Sequence, residues 1–461
     1  MSDSIADELD GIDLGDERLD KRSKHLLEAL AKNPEASINA ASNGWGDTNA
    51  AYRFFRNSRV TPEEILRPHY QATTARAREH PVVLHVQDTS EFDYTKHAPK
   101  DAQCLNTADR FGLYAHTHLA VTPDKLALGV LGTHYFDREA ETLGKAHERS
   151  HLPIEDKESF RWLEGYRLAC QLAADCPNAQ IVSVADREAD IYDIYMDAQK
   201  QSGPRAEYLI RARVDRSTIP CDLSTGKEVS CKVRDAVAAA PPLTTRAVEL
   251  SATPKRSARI ANVEIRTLTV QVQPPSDRPH LPSVTMNVVL AEEVNGPGDG
   301  TDVSWLLLTS LPVGTIAEAL KVIDYYVARW VVEVYFRTLK TGCRIEDIQL
   351  ETVSRLQNCL AMYAIVAWRI LYVTYLNREC PELPCTAVFT PSEWKSVWRV
   401  MMTKALPKNP PTLAEMMRLV SQLGGYNNRK GELPAGPQSI WIGLRRMADF
   451  ALAWESFGHE T

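Results

Sequence analysis

The sequence predicts an α/β protein: a mixed sheet with packed helices, interrupted by an all-β block and flanked by helical segments at both ends. Short apolar runs rich in Val and Ile, at 81–88 and 180–186, read as buried central strands, and further strands fall at 111–121 and 126–136. Residues 214–312 alternate apolar and polar positions (NVEIRTLTVQVQ, VTMNVVLAEEV, SWLLLTSL) between turns such as QPPSDRPHLP and NGPGDG. Apolar residues at helical spacing dominate the N-terminal 70 residues and the stretch after 313. A chain of 461 residues, 44% of them hydrophobic, accommodates two to four domains with sizeable cores.

From the N-terminus, 16–32 forms an amphipathic helix on Leu19, Leu26, Leu27 and Leu30, stopped by Asn33 and Pro34. A second helix covers 47–56, and a third starts at Thr61 with Pro62 and Glu64, a helix-start pattern. This segment, 1–70, is basic on Arg18, Lys21, Arg22, Arg53, Arg56 and Arg59. A solvated face of a small bundle accounts equally well for any single one of them. Strands then precede a long helix at about 155–175, a strand ending at Asp186, a helix in DIYDIYMDAQK and a strand at 207–213. That order matches a ribonuclease-H-like core over 71–213. The β block 214–312, which includes TRAVELSATP, reads as an insertion. Helices at 315–340 and 352–378 return the chain to the core as segment 313–380. The remainder, 381–461, is helical with Pro-rich breaks at LPKNPPT and GELPAGP.

Two carboxylates fall at strand ends: Asp88 closes PVVLHVQD and Asp186 closes QIVSVAD. An acid at a strand end often only caps the next helix. A third acid, Glu333, lies in YVARWVVEVYFRTLK (326–340). At about 100° per residue, Tyr326, Arg329, Glu333 and Lys340 point within roughly 60° of one another, with Val327, Trp330, Val331, Val334 and Leu339 on the buried side. A solvated row of ion pairs, Arg329 to Glu333 and Glu333 to Arg337, explains this helix as well. Three carboxylates on rigid elements suit hard divalent cations bound through oxygen. Two such ions about 4 Å apart serve phosphodiester chemistry, one generating hydroxide and the other stabilising the leaving oxygen.

Several short motifs sharpen this reading: LGDERLDKR (14–22), NAAYRFFRN (49–57), QDTS (87–90), ADREADI (185–191) and WLLLTSLP (305–312), together with Tyr326, Arg329, Glu333 and Lys340 at fixed spacing. In these, from about Asp13 to the C-terminal region, the chain resembles the DDE transposases of the insertion-sequence-four family. The resemblance implies that Asp88, Asp186 and Glu333 form a metal-binding catalytic triad. It implies Mg²⁺ as the cofactor, with Mn²⁺ as a possible substitute and two ions per active site. Tyr326, Arg329 and Lys340 would hold phosphates of the cleaved end, and Trp305 would stack beside a flipped-out base; the competing reading of Trp305, which begins an apolar strand, is a core residue. Arg211 and Arg213 would contact DNA near the scissile bond, and the N-terminal segment with Arg53 and Arg56 would recognise the element's end. The C-terminal region would pair two protomers. The implied activity is cut-and-paste transposition through a DNA hairpin, on double-stranded transposon ends and target DNA, by a homodimer in the synaptic complex. One departure from the family lies in TGCRIEDIQLET, where Gln349 stands before Glu351. Arg344 or Arg355 is the substitute expected for an absent arginine.

Composition limits the alternatives. A net charge of −7 argues against wholesale coating of DNA, so affinity must come from local patches such as 205–216 and 395–408. The first sixteen residues are acidic and lack the apolar core of a signal peptide. The apolar stretch 359–376 carries Arg369 in its middle and reads as a buried helix rather than a membrane span. Nine cysteines without a CxxC pair indicate reduced cytosolic thiols; the family resemblance implies a bacterial cytoplasmic protein, nucleoid-associated when bound to DNA. Cys380 and Cys385 have no nearby His to complete a zinc site, and His116 and His118 alternate along a strand as packed residues. Two rival readings use the same sequence: a ribonuclease-H-like nuclease without strand transfer, and a non-catalytic DNA-binding protein domesticated from a transposase. A carboxylate-pair glycosidase has no use for Arg329 and Lys340 beside the acid.

Overall fold

The computed structural model describes residues 4–42, 44–138, 152–200, 203–218, 221–222, 227–228, 231–250, 257, 259–429 and 435–457. The last four residues of TRAVELSATP and most of the GELPAGP break therefore lie outside the described residues. Helices α1 (Glu17–Lys32), α2 (Trp45–Arg56) and α3 (Pro62–Arg78) precede strands β1 (Val82–Asp93), β2 (Phe111–Val121) and β3 (Ala127–Phe136). Then come α4 (Phe160–Asp175), β4 (Gln180–Ala185), α5 (Tyr192–Lys200) and β5 (Glu207–Arg211). Strands β6 (Thr244–Leu250), β7 (Arg259–Val272), β8 (Val284–Glu293) and β9 (Ser304–Thr309) follow. The chain ends in α6 (Ile316–Ala328), α7 (Val331–Arg337), α8 (Val353–Glu379), α9 (Pro391–Met402), α10 (Leu413–Leu423) and α11 (Pro437–Phe457), with shorter turns and two-residue strands between these elements.

Contacts divide the chain into two compact units. The first comprises Met1–Ala77, Thr89–His147 and Val331–Thr461, and the second Arg78–Asp88 and Glu148–Trp330. These units cut across the five sequence segments.

In the second unit, β1, β4 and β5 are parallel neighbours, from Val82↔Gln180 to Val86↔Val184 and from Val182↔Glu207 to Ala185↔Ile210. Apart from the short pairing of Cys221–Asp222 with Lys227–Glu228, the described strands of the β block do not form a separate sheet. Its strand β9 pairs antiparallel with β5 (Leu308↔Ile210), β8 with β9, β7 with β8 and β6 with β7. The reason is visible in β9: SWLLLT is buried from Trp305 to Thr309, the signature of a central strand covered on both faces. Strand β7 carries an interrupted alternation of buried and exposed residues instead, as a half-covered strand should.

The first unit is organised around α8, apolar on every side and almost wholly buried. This is the one helix among the described residues long and apolar enough to cross a membrane, and its burial marks it as a core helix. Thr352 caps it by accepting the Arg355 N–H. Asn358 donates to the carbonyls of Phe55 and Val60 at 3.1 and 2.8 Å, so the turn after α2 docks on this helix. Trp368 donates its indole N–H to Ala127 at 2.8 Å. A Cβ at Gly443 of α11 would lie 1.9 Å from the Val420 carbonyl, so only glycine permits that approach to α10. The Arg445–Glu35 ion pair, 2.7 Å, joins the C-terminal and N-terminal segments within this unit. The helical ends of the sequence thus share one unit.

A polar knot sits in this core. Glu8, from a short 3-10 helix at Ile5–Leu9, meets His69 Nδ1 at 2.6 Å and Arg76 at 2.8 and 3.1 Å. Arg76 also lies 4.5 Å over the Trp368 ring. His69 Nε2 accepts the Val130 N–H at 3.0 Å, which requires the neutral ring protonated on Nδ1, donating to Glu8. Burial alone would raise the Glu8 carboxyl, but His69 and Arg76 outweigh it and hold it at about 2. Burial pulls His69 below its ordinary value.

Candidate active site

Parallel pairing of β1 and β4 sets the geometry of the two aspartates. Two residues past the Val86↔Val184 pair, Asp88 and Asp186 come level on adjacent strands. Carboxyl ends of parallel strands are where open α/β sheets place their ligands. Strand β1 does not stop at Asp88, as its sequence suggests; it runs on to Asp93. Asp186 does end its strand, and it caps the following 3-10 turn (Arg187–Ala189) by accepting the Arg187 N–H. The carboxylate side chains remain 24% and 36% exposed.

Arg329 stands between them. Its guanidinium is 3.5 Å from Asp88 Oδ2 and 3.9 Å from Asp186 Oδ2, and its side chain is only 5% exposed. Those separations are ion contacts rather than well-formed hydrogen bonds. Tyr326, also buried, points its phenol at Asp186 Oδ1 from 3.4 Å. Burial raises that phenol above its ordinary value, so it stays a neutral donor. Trp305 packs edge-on to Tyr326 (5.3 Å between centroids) and to Trp330 (6.2 Å) and is buried. In this structure the Trp305 ring supports Tyr326 from the core.

The expected continuous helix 315–340 is broken. Helix α6, opened by a Thr315–Glu318 capping box, ends at Ala328. The N–H groups of Arg329 and Trp330 bond three residues back, to Tyr326 and Val327, a tightening that ends the α-helical run. The chain resumes as α7, then passes into a π-turn at Thr338–Gly342 that carries Lys340. Tyr326 and Arg329 are both buried, which the solvated row of ion pairs does not account for.

Glu333 is exposed in the first turn of α7, in the first unit. Lys340, in the same unit, lies 3.9 Å from Glu346 and 5.6 Å from the Phe92 ring. Among the described residues no group of three or more His, Cys, Asp or Glu side chains is gathered closely enough to hold a metal ion. Within the second unit the structure brings Asp88 and Asp186 together with Arg329 and Tyr326. The donor chemistry of that pair suits a hard divalent cation: oxygen ligands, partly solvated, beside a cation already offsetting their charge.

Arg211, at the end of β5, donates to the Ser304 carbonyl at 3.3 Å, and Arg213 is exposed just beyond it. Sequence reasoning passed over Asp190, Tyr195 and Arg216, which meet around that loop. The only signal was the second aspartate of ADREADI; its partners lie too far along the chain for local pattern to reveal. In the first unit Arg53 and Arg56 are exposed on α2, whereas Arg22 pairs with Asp47 and Arg59 donates to the Gly15 carbonyl at 2.6 Å. Arg344 and Arg355 pair with Asp347 and Glu351. His116 and His118 are buried, as expected, with His116 Nδ1 2.9 Å from the Thr89 hydroxyl.

Three family descriptions match this sequence. Residues 1–60 match "Transposase DNA-binding", residues 166–369 match "Transposase DDE domain", and residues 365–455 match "Transposase Tn5 dimerisation domain". The chain is a DDE transposase related to the Tn5-type transposases. Its DDE domain carries a ribonuclease-H-like core, and the match spans Asp186, Arg329 and Glu333 but begins after Asp88. As a transposase it is an enzyme that binds DNA, pairs with a second copy and uses a divalent metal. Among solved structures it matches a cryo-EM structure of the piggyBac transposase synaptic complex with hairpin DNA. That likeness has 9% identity and a TM-score of 0.38, covering 94% of this chain and 76% of that one.

Proposed function

We propose that this transposase works by cut and paste: it cleaves both ends of a mobile element by hydrolysis and joins the freed 3′-hydroxyls to target DNA. The observation that carries the reading is the level placement of Asp88 and Asp186 on adjacent parallel strands, with buried Arg329 beside both. Asp88, Asp186 and Glu333 are the residues that would hold Mg²⁺ or Mn²⁺, two ions per site. Such ions, when bound, make a water nucleophilic at neutral pH and stabilise the leaving oxygen.

The chain's own residues do the rest. Arg329 offsets the mutual repulsion of the two aspartates and offers planar donors to a phosphate. Tyr326, neutral and buried at its base, orients Asp186 or a phosphate oxygen. Lys340, Arg211 and Arg213 neutralise the backbone around the scissile bond, while Arg53 and Arg56 read the end from the N-terminal segment. Synapsis by two protomers through 365–455 ensures that no end is cut alone. A hairpin intermediate, with Trp305 released to stack beside a flipped base, belongs to the same proposal. So does a cytoplasmic site of action on double-stranded DNA.

The test is a gel assay on DNA bearing the inverted repeats that border the coding region, with a target plasmid present. Wild type should yield nicked, excised and joined products. Asp88→Ala, Asp186→Ala and Glu333→Ala should each bind DNA normally in EDTA and lose cleavage by at least about 10³-fold. An alanine variant that still cuts overturns the assignment, and cleavage without joining favours the nuclease reading.

A further inference from the structure

Asp190 has no role in the chemistry above, yet it holds the loop that carries Arg213. It closes the turn that begins at Asp186, and its side chain is fully buried. Oδ2 accepts the backbone N–H groups of Arg213 and Val214 at 2.7 and 3.0 Å. Oδ1 accepts the Tyr195 phenol at 2.7 Å and pairs with the Arg216 guanidinium at 2.5 Å. Arg216 also donates to the Asp190 carbonyl at 3.0 Å. Both carboxylate oxygens are therefore engaged, by two amides, a phenol and a guanidinium. The loop itself is on the surface: Arg213 is exposed and the Val214 side chain is 53% exposed.

An exposed tip whose amides are pinned to a buried acid has its shape fixed from within. Because β4 and β5 are adjacent and parallel, Asp186 and Arg213 leave the sheet at the same edge. Asp190 bridges the turn after one strand to the loop after the other. We propose that Asp190 is a positioning residue, holding the Arg213 loop at a set spacing from Asp186 so that Arg213 meets the phosphate flanking the scissile bond. The inference rests on the transposase reading. Its physical advantage is that the loop is ordered on folding, so DNA binding bears less of the ordering cost.

Two measurements test it. Hydrogen exchange on the wild-type protein without DNA reads the clamp alone. The amides of Arg213 and Val214 should exchange as slowly as those of β5, despite the exposed tip; exchange at the rate of an open loop overturns the clamp. Fluorescence anisotropy in EDTA, with a labelled inverted-repeat duplex, reads the positioning. Arg213→Ala should weaken binding about tenfold and reduce the slope of log affinity against log salt by about one. Asp190→Asn should do the same, and the double variant should be no weaker than Arg213→Ala. Additive losses, or an unchanged salt slope in Asp190→Asn, mean that Asp190 serves only stability. If Asp190→Asn does not fold, Val214→Pro, which deletes one clamped N–H from the tip, enters the same cycle with the same two outcomes. A wild-type protein that fails to bind the duplex while its 213 and 214 amides stay protected removes the DNA reading and leaves the clamp.

Discussion

In the Glu8 knot of the first unit, His69 and Arg76 approach a carboxylate at 2.6, 2.8 and 3.1 Å, and that carboxylate is 8% exposed. In the Asp88–Asp186 pair of the second unit, Arg329 stands 3.5 and 3.9 Å away, and the acids are 24% and 36% exposed. Both places join arginine to acid inside a folded unit, yet they are built differently. The knot is closed: short bonds, a neutral histidine in one tautomer, and a ring beneath the guanidinium. The aspartate pair is slack, with a buried cation near two acids that still face solvent. A closed cluster serves the fold, because losing one partner strands a buried charge. A slack one leaves carboxylate oxygens accessible to an incoming ligand. Asp190 shows that the contrast is not one between units, since it is as closed as Glu8 and lies four residues from Asp186.

The contrast can be broken most severely at Glu8. Glu8→Ala should destabilise the protein by about 3–5 kcal/mol, because it leaves Arg76 and His69 without their acid. Urea unfolding of the first unit measures this, and a loss under about 1 kcal/mol would make the knot no more than a surface pair. A smaller effect sharpens the comparison. Arg329→Ala should lower the melting temperature in EDTA, and added Mg²⁺ should restore part of the loss by relieving repulsion between Asp88 and Asp186. Arg76→Ala should show no such recovery. Equal behaviour of the two variants in Mg²⁺ would erase the distinction between them.

Acid should act on the knot. Glu8 titrates at about 2 when folded against 4.5 ordinarily, so its contribution is full above about pH 4.5 and is lost as pH falls towards 2. That loss amounts to about 3 kcal/mol. The His69 value is lowered by burial, so its neutral form is favoured by folding and its contribution begins to erode below about pH 6.5. Denaturation midpoints should therefore fall in two stages on acidification. Glu8→Gln should abolish the lower stage, and an unchanged profile in that variant would contradict the assignment.

Much of the aspartate pair was legible in the sequence, because it depends on short-range signals. Val- and Ile-rich runs ending in Asp88 and Asp186 announce buried central strands, and two such acids together, with Glu333, point to a site. What was not legible depends on distant partners. The apolar pattern of 315–340 keeps its helical phase through Arg329, so nothing local reveals that the chain tightens there and turns a guanidinium inward. Glu8 finds His69 and Arg76 across separations of 61 and 68 residues. Likewise the 214–312 strands read as an insertion because their own turns are clear, while the β5–β9 pairing that joins them to the core sheet spans about a hundred residues.

The central claim is that Asp88 and Asp186 hold a divalent metal. The most direct measurement is a Mn²⁺ titration followed by electron paramagnetic resonance, on the dimer bound to inverted-repeat DNA. Wild type should take up about two ions per protomer, and Asp186→Ala should lose tight binding of at least one. Identical uptake by the two proteins would contradict the account.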